Sequence, residues 1–179
     1  MIQIIIVLII FFTISMAMVV IYTAYMGNKN NQYPEICFDK FNQKEYNVKE
    51  IEQLVNKIIQ GVKGWMWLAT LFTALYYFLN FWSIGFMVIN LILQIFAENQ
   101  NKYFTVFLTL GSLMFTFLDL WLNTKEKSIK FNKHWFKTSV IAKKYVIKLC
   151  NAKTFEELCI FAIELNDSIY KENIDIDIL

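Results

Sequence analysis

Two stretches of this chain carry no charged side chain: residues 1–28, and the 34 residues from Gly64 to Ala97. A helix in water needs a polar face, and neither run supplies one of useful width. A bilayer accepts both, because a hydrocarbon core of about 30 Å takes about 20 apolar residues at 1.5 Å each. The balance of the chain agrees, with 57% hydrophobic residues against about 45–50% in soluble domains. These features exclude a secreted disulfide scaffold, a disordered chain and an ordinary soluble enzyme.

The first span is read as Ile2–Met26, an uncleaved anchor. Nothing basic precedes Lys29, and the run exceeds the apolar core of a signal peptide. The block Trp65–Phe96 is too long for one perpendicular crossing, and its halves are too short for two. It is predicted as one long helix, tilted or protruding, with Asn90 and Gln94 towards its wet end. The third span is Tyr103–Leu122, joined to the second by the short polar loop Glu98–Lys102, so the two form a transmembrane hairpin. Gly111 and Ser112 offer a place for close helix approach. The fold class is therefore an all-α membrane protein with three transmembrane helices, one N-terminal and then a hairpin, followed by a C-terminal amphipathic helical pair. Four regions result: an anchor at 1–26, a polar linker plus amphipathic helix at 27–63, the hairpin at 64–123, and a soluble helical tail at 124–179.

The polar stretch Gly27–Tyr46 holds the only proline, Pro34, and is expected to be irregular and ordered by partners. Asn47-Val-Lys-Glu50 reads as a helix cap, and Val48, Ile51, Leu54, Val55, Ile58, Ile59 and Val62 follow at helical spacing. Gly61 and Gly64 offer places for a bend before the second span. In the tail, Trp135, Phe136, Val140, Ile141, Tyr145 and Leu149 mark a basic amphipathic helix. Thr154-Phe-Glu-Glu157 is a capping box that opens a second one, and the two are expected to fold back on each other. The alternation Ile174-Asp-Ile-Asp-Ile178 is read as an extended tail.

Few residues offer chemistry. His134 is the only histidine, so paired-histidine haem ligation within this chain is excluded, and a place beside Trp135 at the membrane interface is expected. Cys37, Cys150 and Cys159 form no CxxC pair, and Cys150 and Cys159 flank the expected turn of the tail, where they pack together or lie as separate apolar thiols. No phosphate-binding glycine pattern is present. Asp119 is the one acid inside a predicted span; its place near the span's end, beside Asn123 and Lys125, suits an acid in contact with water or lysine. The segment 124–153 carries nine Lys and one acid, and seven acids and one Lys follow it. Positive-inside bias and anionic headgroups explain the basic segment without nucleic acid. The expected contents are no catalytic residue, cofactor, metal or small-molecule substrate, with cardiolipin-like headgroups near Lys125, Lys127, Lys130 and Lys133.

Two resemblances extend this reading. The 17 basic residues are all lysine, and Phe, Tyr, Met, Ile, Asn and Lys supply 90 of the 179 residues. With Met1 directly before a span and no transit-type segment ahead of it, this composition resembles the divergent mitochondrially encoded open reading frames of ciliates. The resemblance implies a non-catalytic accessory subunit of a respiratory-chain complex, or of the ATP synthase membrane region, in the mitochondrial inner membrane. Its partners would be other membrane subunits of a large hetero-oligomeric complex, and phospholipid. The second resemblance covers about residues 48–173. A helix, a transmembrane hairpin and a helical pair, with Phe117-Leu-Asp-Leu-Trp-Leu-Asn-Thr-Lys-Glu-Lys127 at the exit, are similar to bacterial SLATT-type effectors. That similarity implies pore formation in antiviral defence at the bacterial inner membrane. In either setting the positive-inside rule puts residues 124–179 in the matrix or cytoplasm, with Gly27–Lys63 on the same side and Glu98–Lys102 opposite.

Overall fold

Pro34 is the only proline and lies outside every helix, so nothing in the rest of the chain forbids long helices. The computed structural model describes residues 2–30, 32–41, 46–96 and 102–177, which form five α-helices and a short 3-10 turn, Phe38–Lys40. In chain order these are α1 (Ile2–Asn30), α2 (Tyr46–Phe96), α3 (Lys102–Leu122), α4 (Thr124–Asn151) and α5 (Phe155–Asp177). Two of them, α2 and α3, are long and apolar enough to cross a membrane. Their apolar windows are only 22% and 17% buried within the chain, unlike the core helix of a soluble protein. The expected all-helical class holds, and α3 matches the predicted third span to within one residue.

The chain divides into two compact units, Met1–Tyr25 with Thr70–Ile129, and Met26–Ala69 with Lys130–Leu179. The first has an aromatic core. Phe78, Leu79, Trp82 and Phe86 of α2 close on Leu108 and Phe115 of α3, and α1 adds Phe12 and Val19. The Phe12 ring lies 4.9 Å from Trp82 and 5.2 Å from Phe78, centroid to centroid. Trp82 Nε1 donates a 3.1 Å hydrogen bond to Ser15 Oγ, so the indole is satisfied where it is buried. Gly111 is required at its place: a Cβ there would lie 2.8 Å from the Phe86 ring. A neighbouring backbone was expected to come close at this glycine; the Phe86 side chain takes that place instead.

The second unit is a helical bundle. Val55 and Val62 of α2, Ala142 and Leu149 of α4, and Leu158, Ala162 and Leu165 of α5 form its core. Each helix buries one stripe, as amphipathic spacing requires. Three expectations are corrected here. First, the linker is not irregular throughout: α1 continues to Asn30, residues 32–37 are irregular as expected, and Tyr33, Ile36, Phe38 and Phe41 pack on the bundle core. Second, the terminal alternation is helical through Asp177, because Ile174 continues a face of α5; Ile178 lies outside the described residues. Third, α2 already includes Tyr46 and Asn47, so Asn47 is not its cap, and it runs as helix through Gly61 and Gly64. The expected loop Glu98–Lys102 falls outside the described residues except for Lys102, the first residue of α3. The cap at Thr154 forms with one shift from the expected box: Thr154 Oγ1 accepts from Glu157 N at 3.2 Å, and Glu157 Oε2 accepts from the N–H of Lys153, one residue before the cap, at 2.8 Å.

Candidate functional site

The polar side chains of the apolar hairpin are not scattered. On α3 they fall at Thr105, Thr109, Ser112, Thr116 and Asp119, alternately four and three residues apart. On α2 the facing set is Thr73, Asn80, Ser83 and Asn90, which keeps the same 3.5-residue period. The two rows meet. Asn90 Nδ2 donates to Thr109 Oγ1 at 3.0 Å. Ser112 Oγ donates to the Ser83 carbonyl at 3.0 Å, and the Ser83 and Thr116 hydroxyls are 2.7 Å apart. Asn80 Nδ2 donates to Asp119 Oδ2 at 3.3 Å. Beyond the end of α3 the row continues into the second turn of α4, where the Thr73 and Ser128 hydroxyls are 2.7 Å apart.

Asp119 closes this row. Its Oδ1 accepts the hydroxyl of Thr124, the first residue of α4, which is fully buried. Asn123, between the two helices, has φ 48°, the left-handed conformation that asparagine tolerates better than most residues. Asn123 Nδ2 in turn donates to the Glu126 carboxylate. The carboxylate of Asp119 thus ties α2, the end of α3 and the start of α4 together. The protein partners of this half-buried carboxylate are Asn80 and Thr124. Asn90 Oδ1 is the exception in the row, buried without a hydrogen-bond partner among the described residues. It borders a groove of about 330 Å³ lined by Met87, Gln94, Thr109, Ser112 and Leu113.

His134 belongs to the other unit and is corrected from interfacial to buried, at 3% exposure. Trp65 of α2 presents its ring edge-on at 4.6 Å, and His134 Nε2 lies 3.0 Å from Asn173 Oδ1 of α5. Burial lowers its pKa below the usual 6.5; the Asn173 bond and the Glu172 charge oppose that, and Lys137 adds to it. Lys137 itself pairs with Glu172 at 3.1 Å. No cysteine is in a disulfide: Cys37 is exposed, Cys150 and Cys159 are half-buried, and Cys150 Sγ lies 3.6 Å from the Glu35 carbonyl.

The four lysines expected at lipid headgroups are all exposed on α4. At 100° per residue they spread over more than half of the helix circumference, so they form no single pocket. Lys127 Nζ lies 5.4 Å from the Phe72 ring centroid. Among the described residues, no group of three or more His, Cys, Asp or Glu side chains is placed to hold a metal. The common period of the polar row is the one signal of it that the sequence carries; taken one at a time, its members look like isolated polar residues in apolar helices. Compared with protein-family models, curated proteins and solved structures, the chain matches none.

Proposed function

We propose that this chain is a non-catalytic structural subunit of a membrane complex, held in the bilayer by α1 as an N-terminal anchor and by the α2–α3 hairpin. One observation carries the reading: apart from Asn90 Oδ1, the facing polar side chains of the hairpin bond across it, from Asn90–Thr109 to Asn80–Asp119. In hydrocarbon, such bonds lock two helices in register. The exposed apolar flanks of α1 and of the hairpin, such as Phe11, Ile84 and Phe117, are then the surfaces offered to lipid and to neighbouring subunits. The compositional resemblance extends this to the mitochondrial inner membrane and to a respiratory-chain complex in preference to the ATP synthase membrane region. Phospholipid is expected at Lys125, Lys127 and Lys130, with Lys133 at the edge of that segment left to protein contact; no nucleic acid, small-molecule substrate, cofactor or metal enters the reading.

A mild-detergent extract of native membranes, resolved on a native gel and identified by mass spectrometry, tests the proposal. Co-migration with different chains in an assembly of hundreds of kilodaltons is expected. A species containing this chain alone would refute it and favour the SLATT-like pore-forming effector. That second reading is supported by the bundle of α2, α4 and α5, which builds its own core as that architecture requires. Toxicity on overexpression would add to it.

A further inference from the structure

The bundle unit buries one stripe of each helix, and two of its helices carry a second stripe on the outside. On α4, Phe136, Val140 and Ile147 are each more than half exposed, and Lys143 falls in the same row. Together with Lys133 they repeat at intervals of three, four, three and four residues. On α5, Glu156, Ile160, Ile163, Asp167, Tyr170 and Ile174 repeat at four, three, four, three and four. All of these are exposed. A 3.5-residue period is the signature of a seam between packed helices, and a solvated face does not need it. The outer face of α2 in the same unit shows the contrast, presenting Glu52, Gln53, Asn56 and Gln60 to solvent.

The two outer seams complement each other. Each alternates apolar residues with charges of one sign, lysine on α4 and carboxylate on α5. The spacings also agree: Lys133 and Lys143 are ten residues apart, or about 15 Å, and Glu156 and Asp167 are eleven apart, or about 16 Å. None of the four has an ion-pair partner among the described residues; the pairs seen use Lys137, Lys148, Glu164 and Glu172. We infer that the two seams are the halves of one contact, and that α4 of one copy of this chain docks on α5 of a second copy. An anionic bilayer would suit the lysine seam alone and would repel the carboxylates within the other. A contact between two different patches is heterologous, so repetition gives either a closed ring or an open row. The inference stands whether or not other chains join the assembly.

Charge reversal tests it on the purified full-length chain in mild detergent, with mass read by light scattering across a concentration series. Lys133→Glu/Lys143→Glu leaves both seams acidic, and Glu156→Lys/Asp167→Lys leaves both basic. All four positions are exposed, so helicity by circular dichroism should match the parent. Each double variant alone is expected to associate about tenfold more weakly than the parent. An equimolar mixture of the two is expected to regain the parent's association, because each now supplies what the other lacks. Association unchanged by either reversal, or lost in both and not regained on mixing, overturns the inference. So does a parent chain that stays monomeric throughout while the lysine reversals release it from vesicles containing anionic lipid.

Discussion

His134 shows how far one neighbour can move a side chain from its expected role. Beside Trp135 in a basic segment it reads as an interfacial residue, yet Trp65, 69 positions earlier in the chain, covers it. Nothing local to His134 signals that contact. Its lowered pKa has a consequence of definite sign. Above about pH 6.5 the ring is neutral in both the folded and the unfolded chain, so it leaves stability unchanged. As pH falls below that value the unfolded chain takes up a proton that the folded chain resists, and stability falls. The thermal midpoint of the parent is therefore expected to drop between pH 7.5 and 5.5 by more than that of His134→Gln, which keeps an amide near Asn173 and does not titrate there. Equal drops would remove His134 as the cause. Gly111 gives a second residue-level test. The added methyl of Gly111→Ala meets the Phe86 ring, itself held 5.7 Å from Phe115 and 5.4 Å from Trp82, so the ring has little freedom to yield. A loss of about 1–3 kcal/mol is expected in thermal or denaturant unfolding. At Gly64, where a Cβ would meet nothing within 4 Å, alanine is expected to be neutral or stabilising.

At the scale of elements, legibility follows how local the signal is. The capping box at Thr154 was readable because its partners lie within four residues, and the spans were readable from length and missing charge. The linker was not, since Tyr33, Ile36, Phe38 and Phe41 are too sparse to suggest a core until α4 and α5 provide one. The alternation at Ile174–Ile178 misled because it looks like a strand in isolation, whereas Ile174 lies four residues after Tyr170 on a face already set by α5. The polar row between α2 and α3 falls between these cases: its period is visible, its pairing is not. That pairing is uneven, which two substitutions would expose. Ser112→Ala removes a neutral bond to the Ser83 carbonyl and a longer one to the Ser83 hydroxyl, and is expected to cost about 0.6–1 kcal/mol, in the usual range for such bonds between membrane helices. Asp119→Ala removes the acceptor shared by Asn80 and Thr124 at the junction of three helices and is expected to cost about 2–3 kcal/mol. Unfolding in detergent would rank the two, and an equal or reversed order would show that Asp119 does not hold the junction.

For the whole molecule the decisive question is which segments share a side of the membrane. The positive-inside rule addresses it through the lysines after α3, but residues 29–63 carry six Lys and five acids and barely vote. The fold supplies an independent argument. The linker and the first part of α2 belong to one compact unit with most of α4 and all of α5, and Cys150 Sγ lies against the Glu35 carbonyl. Segments packed in one core cannot lie on opposite faces of a bilayer. If α2 and α3 both cross, Lys102 at the start of α3 lies on the far side from that unit. Cys37 is exposed and makes the test direct. In a Cys150→Ser/Cys159→Ser background, Cys37 should react with a membrane-impermeant maleimide from the same side as a cysteine introduced at exposed Lys171. In a further background lacking Cys37, Lys102→Cys should react only from the opposite side. Labelling of Cys37 and position 171 from different sides would contradict the bundle itself. Labelling of position 102 from the same side as both would leave the bundle intact and remove the hairpin crossing.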